Sequence, residues 1–153
     1  MKNLSTAVLS VCITLCSLFA SAQNKTVPIN EPDYNKPKLF ADLPDRINFN
    51  PASLTNLFNL QVGQTVNIPL TSNFSLAGIV VSTANNDNAT SVVIKSTNRV
   101  GARLTFTRVV NDDKTIKYIG RIISLQHGDT YEIAYENNQY YFQKKGLYDL
   151  VNE

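Results

Sequence analysis

From residue 65 to residue 144 the chain repeats one pattern: a run rich in Val, Ile, Thr, Tyr and Phe, then a separator rich in Asn, Asp or Gly. The runs are TVNIPL (65–70), LAGIVVS (76–82), SVVIKS (91–96), LTFTRVV (104–110), TIKYIGRIISL (115–125), TYEIAYE (130–136) and QYYFQK (139–144). β-branched and aromatic side chains suit a pleated, half-buried surface, and Asn, Asp and Gly suit the tight connections between strands. The separators are too short for parallel crossovers, which need a dozen residues or more. The pattern therefore predicts a mostly β fold, an antiparallel meander of about seven strands. Pro69 places the first run at a sheet edge, because proline donates nothing to a neighbouring strand.

Pairing is testable by parity. A two-residue turn at Asn137-Asn138, where Asn tolerates positive φ, sets Tyr135 opposite Tyr140, Ile133 opposite Phe142 and Tyr131 opposite Lys144 on one face. Glu132 with Gln143 and Ala134 with Tyr141 then share the other face. A three-residue turn at His127-Gly128-Asp129 extends the apolar face to Leu125 with Tyr131 and Ile123 with Ile133. The run 115–125 changes phase along its length, so a bulge near Gly120 is expected. A bulge there bends the sheet strongly, toward a partly closed barrel or over a helix.

That helix is read at NPASLTNLFNL, 50–60, where Asn50 caps, Pro51 suits the first position, and Leu54, Leu57 and Phe58 share a face. It is too short to stand alone in water and must lie on the sheet. Before it, Pro28, Pro32, Pro37 and Pro44 interrupt residues 23–49. Proline fixes φ and pushes its predecessor toward extended geometry. These residues read as an extended arm, with Leu39, Phe40 and Leu43 as its docking side chains.

The first 22 residues combine Lys2, an apolar run and the small triplet Ala20-Ser21-Ala22, the three parts of a cleavable secretory signal. The apolar run is shorter than a spanning helix requires. The expectation is an exported chain, periplasmic or secreted, with the helix and meander (50–153) as its one domain and no membrane span after cleavage. Cys12 and Cys16, the only cysteines, leave with the signal, so the fold forms without disulfides.

The formal net charge is +2 in 153 residues, and Lys2 is part of that excess. No preference for nucleic acid follows from such a balance. Between residues 91 and 121 seven cations (Lys95, Arg99, Arg103, Arg108, Lys114, Lys117 and Arg121) meet only Asp112 and Asp113. This basic stretch is read as the solvated outside of strands.

His127 is the single histidine, so a Cys nucleophile, a Cys-rich zinc site and any two-histidine site are unavailable to the mature chain. QHGDT reads as a turn. Glu132 and Glu136 on one strand stand about 13 Å apart, beyond the ~5 to 9.5 Å of glycosidase carboxyl pairs. NDDK and NNDN lack the glycine and alternating acids of a calcium loop, and no glycine-rich phosphate loop is present. The sequence thus offers no catalytic constellation, no metal site and no cofactor site.

Tyr135, Tyr140 and Phe142 are assigned to the core or to cross-strand pairs. Tyr141 and Tyr148 are the rings left over, and they are the candidate partner-binding residues. The function expected is a non-enzymatic module that binds another exported protein through a strand edge, the arm, or the Tyr141 and Tyr148 surface. The alternative is a carrier whose curled sheet encloses an apolar or anionic ligand, with Arg108 or Arg121 turned inward as charge partner.

Overall fold

The computed structural model describes residues 37–146. The signal segment, the first part of the proline-rich arm and Tyr148 lie outside the described residues. Eight antiparallel strands are present: β1 (Arg46–Phe49), β2 (Thr65–Pro69), β3 (Ser75–Asn85), β4 (Ala89–Ser96), β5 (Ala102–Val110), β6 (Ile116–Ser124), β7 (Asp129–Glu136) and β8 (Gln139–Gly146). They form one strongly curled half-barrel sheet in the order β1-β8-β7-β6-β5-β4-β3-β2. The seven expected strands are β2 to β8. The eighth, β1, is the end of the arm, laid against β8 with Ile47 opposite Phe142 and Phe49 opposite Tyr140.

The helix forms where expected, over Pro51–Asn59, but it is a 3₁₀ helix. Its apolar residues explain the tighter winding, because Leu54 and Leu57 are three apart and eclipse in a three-residue turn. Both are buried, and Asn50 Oδ1 caps the start by accepting the Ala52 N–H at 3.0 Å. The helix joins the two outermost strands across the concave face. There it packs with Ile68, Leu76, Val80, Val92, Ile94, Leu104, Phe106, Ile122 and Phe142. Burying each such side chain contributes about 1.5 to 3 kcal/mol, which carries the fold without cross-links.

The turn before β1 docks as its composition predicts. Phe40 is 1% exposed and Leu43 is buried. Prolines deny this segment a ladder of its own, so side chains of the body satisfy its backbone. Asp129 Oδ2 accepts the Phe40 N–H at 2.8 Å, Arg99 Nη1 donates to Leu39 O at 2.9 Å, and Tyr131 Oη donates to Pro44 O. The Phe40 and Tyr131 rings meet at 5.5 Å. Burial, then the carboxylates Asp45, Asp42 and Asp129, hold the Tyr131 hydroxyl well above the usual phenol range.

The hairpin of β7 and β8 has the register expected from Asn137-Asn138, which sit at φ 49° and 61°. The register of β6 on β7 differs from expectation. Ile122 pairs with Tyr131 and Ser124 with Asp129, across a turn that also takes in Leu125. The inward residues of β6 are therefore Tyr118, Gly120, Ile122 and Ser124, while Ile119, Arg121, Ile123 and Leu125 face out. No bulge occurs at Gly120: β6 runs in continuous register against β5 from Ser124 to Ile116. The glycine is there because a Cβ would lie 2.1 Å from Thr105 O. The bulge that bends this sheet is in β3, between Val80 and Ser82.

Candidate functional site

β6 and β7 begin together and then part. Their ladder covers only Arg121–Ser124 against Asp129–Glu132, although β6 extends back to Ile116 and β7 on to Glu136. The same strands pair along their full length on their other sides, β6 with β5 and β7 with β8. The result is a fork in the sheet whose arms are residues 116–120 and 133–136.

Alternation along β6 turns the backbone groups of Ile116, Tyr118 and Gly120 toward the fork, since Lys117 and Ile119 spend theirs on β5. Tyr118 shows how the fork is managed. Its N–H, with no β7 carbonyl to meet, donates to the Tyr140 hydroxyl at 3.2 Å. The two rings stand edge to face at 5.5 Å. Tyr140 continues to Tyr135 at 4.6 Å, and Tyr118 to Phe106 at 5.6 Å and from there to Phe58 at 5.1 Å. A continuous aromatic floor thus lies beneath the opening. Around it apolar side chains reach solvent: Ile116 is 51% exposed, Ile119 43% and Tyr135 57%. An open cleft of about 610 Å³, lined by Phe49, Asn50, Asn137, Gln139 and Tyr140 among others, shares Tyr140 with the fork.

The outer edges of the sheet are defended by contrast. β1 is four residues long, and β2, the edge strand expected from its sequence, ends at Pro69. Short edges and prolines are the ordinary means of blocking unwanted pairing. The fork carries neither.

The sequence-derived candidates fall in different places. Tyr141 points outward from β8, and Arg46 covers its ring, with Cζ 3.5 Å from the centroid. Arg46 is held there by Glu136 at 3.2 Å and Asn48 at 3.2 Å. One face of Tyr141 is therefore already occupied by the chain itself. Arg121, turned inward only in the carrier alternative, is on the convex face and exposed, which agrees with reading the basic stretch as the solvated outside of strands. Arg108 does face inward, over Phe58 at 5.4 Å, with Nη2 3.5 Å from Thr90 Oγ1 and a buried Nε that has no partner among the described residues. The concave face around it is filled by the core side chains.

Of the assigned aromatics, Phe142 is fully buried, Tyr140 is half-buried, and Tyr135 is an exposed cross-strand partner. His127 lies in the turn before β7, with Nδ1 3.0 Å from Ser124 Oγ. Ser124 is fully buried, and the neighbouring Asp129 engages Phe40. The contact therefore closes the turn and presents no nucleophile to solvent. Glu132 and Glu136 sit in separate ion pairs, with Lys145 at 3.0 Å and Arg46 at 3.2 Å. Among the described residues no three His, Cys, Asp or Glu side chains gather to hold a metal ion, and no helix is long and apolar enough to cross a membrane.

Sequence reasoning missed the fork. Its one sequence signal is the exposed-side Ile119, an apolar residue flanked by Lys117 and Arg121 on the same face. No protein-family model matches the chain, and comparison with curated proteins and with solved structures returns no match.

Proposed function

We propose that this chain is an exported, non-enzymatic binding module that receives an extended segment of another protein in the fork between β6 and β7. The observation that carries the reading is the early end of the β6 and β7 ladder, on strands that both continue. Unpaired strand backbone is a template for another strand, and main-chain hydrogen bonds give such additions their affinity. The aromatic floor and the exposed Ile116 and Ile119 supply the apolar contact that selects side chains on alternate positions. Blunted outer edges support the same reading, since they direct addition to the fork. Export rests on the N-terminal signal pattern, and the non-enzymatic role on a buried Ser124 and separately paired glutamates.

The carrier alternative has one supporting observation, the inward Arg108 beside Phe58. An anion retained by the purified protein in a native mass spectrum, and lost on Arg108→Ala, would move the assignment there.

Selection of random peptides displayed on phage against residues 23–153 tests the proposal. The expected winners are β-prone peptides that lose binding when alternate backbone nitrogens are methylated, and that compete poorly for an Ile119→Lys variant. Winners indifferent to both changes would contradict strand addition at the fork.

A further inference from the structure

The cleft at the rim of the sheet carries chemistry that the fork does not use. The turn between β7 and β8 and the junction of β1 with the helix meet there around a space of about 610 Å³, within the ~300 to 1,000 Å³ usual for small-molecule sites. Five of its eight lining residues carry primary amides: Asn48, Asn50, Asn137, Asn138 and Gln139. None of the eight is charged. The start of the helix adds no anion site, because Pro51 has no N–H and those of Ala52 and Ser53 are spent on Asn50.

The amides are oriented by the chain itself. Arg46 Nε donates to Asn48 Oδ1 at 3.2 Å, and the Ala52 N–H donates to Asn50 Oδ1 at 3.0 Å. Neither donor can accept, so each bond fixes which end of the amide is used and leaves the NH2 group for an outside acceptor. Tyr135 Oη likewise donates to Asn138 Oδ1 at 3.1 Å, and the side chains of Asn137 and Gln139 bond no described residue. Beside these amides runs a row of rings on one face of three adjacent strands: Tyr135, Tyr140 and Phe49, with successive centroids 4.6 and 6.1 Å apart. Tyr135 is 57% exposed.

We infer that this cleft binds an uncharged saccharide, with sugar oxygens on the amide NH2 groups and the C–H face of a sugar ring on the Tyr135 and Tyr140 rings. A site weighted toward donors, with rings beside it and no charge, suits a ligand dense in oxygen that also has an apolar face. A hydroxyl rotates to give or accept as its neighbour requires. A peptide strand fits less well, because it brings an N–H for nearly every C=O, and three of the amide oxygens are already taken. The site is independent of strand addition in the fork and shares only Tyr140 with it.

Neutral tetrasaccharides test the inference: cellotetraose, maltotetraose and chitotetraose, each titrated at millimolar concentration into residues 23–153 and followed by NMR at the side-chain NH2 resonances. Tetragalacturonate and a capped tetraalanine serve as anionic and peptide controls. Asn50→Asp and Asn138→Asp each keep the oxygen that the chain uses, and Asp caps a helix as well as Asn, but each replaces the NH2 donor by an acceptor. The expected result is that a neutral saccharide shifts the Asn50, Asn138 and Gln139 amide signals and binds about tenfold more weakly to either variant at unchanged Tm. It should bind the Ile119→Lys protein as tightly as the wild type. Absence of shifts with all three sugars, or undiminished affinity in both variants, would overturn the inference and leave strand addition untouched. Stronger shifts with tetragalacturonate or with the capped peptide would also overturn it, and would assign the cleft to an anion or to a peptide.

Discussion

Gly120→Ala is the substitution whose outcome the geometry of β5 and β6 constrains most tightly. Gly120 is opposite Phe106 in a continuous ladder, at φ 156°, and an added Cβ would lie 2.1 Å from Thr105 O and 3.1 Å from Phe106 Cα. Relieving that overlap requires the strands to separate by about 1 Å, which takes the neighbouring ladder bonds beyond hydrogen-bonding distance. Two bonds at about 1 kcal/mol each, with about 1 to 2 kcal/mol for forcing a side chain into this backbone region, give a loss of about 3 to 4 kcal/mol. For a domain of this size that corresponds to a fall in Tm of roughly 15 °C or more. Urea melts of residues 23–153 measure it, with two glycines as references. At Gly63 (φ 92°) a Cβ meets nothing within 4 Å, so alanine adds backbone strain alone. At Gly78, where φ is ordinary, it meets Ile94 Cγ2 at 2.5 Å and Lys95 O at 2.7 Å, so alanine adds overlap alone. The expected order of loss is Gly120, then Gly78, then Gly63. A Gly120→Ala protein no less stable than Gly63→Ala would refute the close approach of β5 and β6 on which the fork's position depends.

Other perturbations give distinct signatures. Tyr140→Phe removes the acceptor of the Tyr118 N–H, and is expected to lower stability by about 1 kcal/mol while accelerating exchange of that single amide, read by NMR. Asp129→Ala leaves the buried Phe40 N–H without its acceptor; a loss of about 1 to 3 kcal/mol is expected in denaturant melts, whereas Asp87→Ala in an exposed turn should change little. Asp42 is held below the usual carboxylate range, first by its bond from Arg99. A depressed folded pKa contributes stability above the unfolded value near ~3.9 and loses it as pH falls through the folded value. Asp42→Asn should therefore flatten the stability curve below about pH 4, and added salt should shrink the difference, because the carboxylate is largely exposed.

The residues show why part of this fold could be read in advance and part could not. Asn137-Asn138 is a two-residue turn between strict alternations, so turn length and parity together fix the whole β7 and β8 register. The same reasoning misplaced β6. Gly120 and Ser124 are inward yet carry no apolar mark, while Ile119, Ile123 and Leu125 are apolar yet outward. Alternation counts greasy residues, and here the inner face was written with a glycine that a Cβ could not replace and a serine bonded to His127. The carrier alternative that turned Arg121 inward rested on that same shift, whereas the basic composition of residues 91–121 had placed it outside. Pro69 announced an edge strand correctly, because the missing donor is a local property. The fork has no local cause: it arises where β7 and β8 leave β6 as a unit and a tyrosine hydroxyl from β8 takes the place of a β7 carbonyl. A single strand's sequence does not record which of its two neighbours stays.

Amide hydrogen exchange along β6 in the free protein tests the open fork most directly. Within one strand, Ile122 faces a paired β7 and Ile116 and Gly120 face the opening. The expected result is slow exchange at Ile122, Lys117 and Ile119, with Ile116 and Gly120 faster by orders of magnitude. Uniformly slow exchange from Ile116 to Ser124 would mean that β6 is paired on both sides throughout, and the fork would not be a binding site.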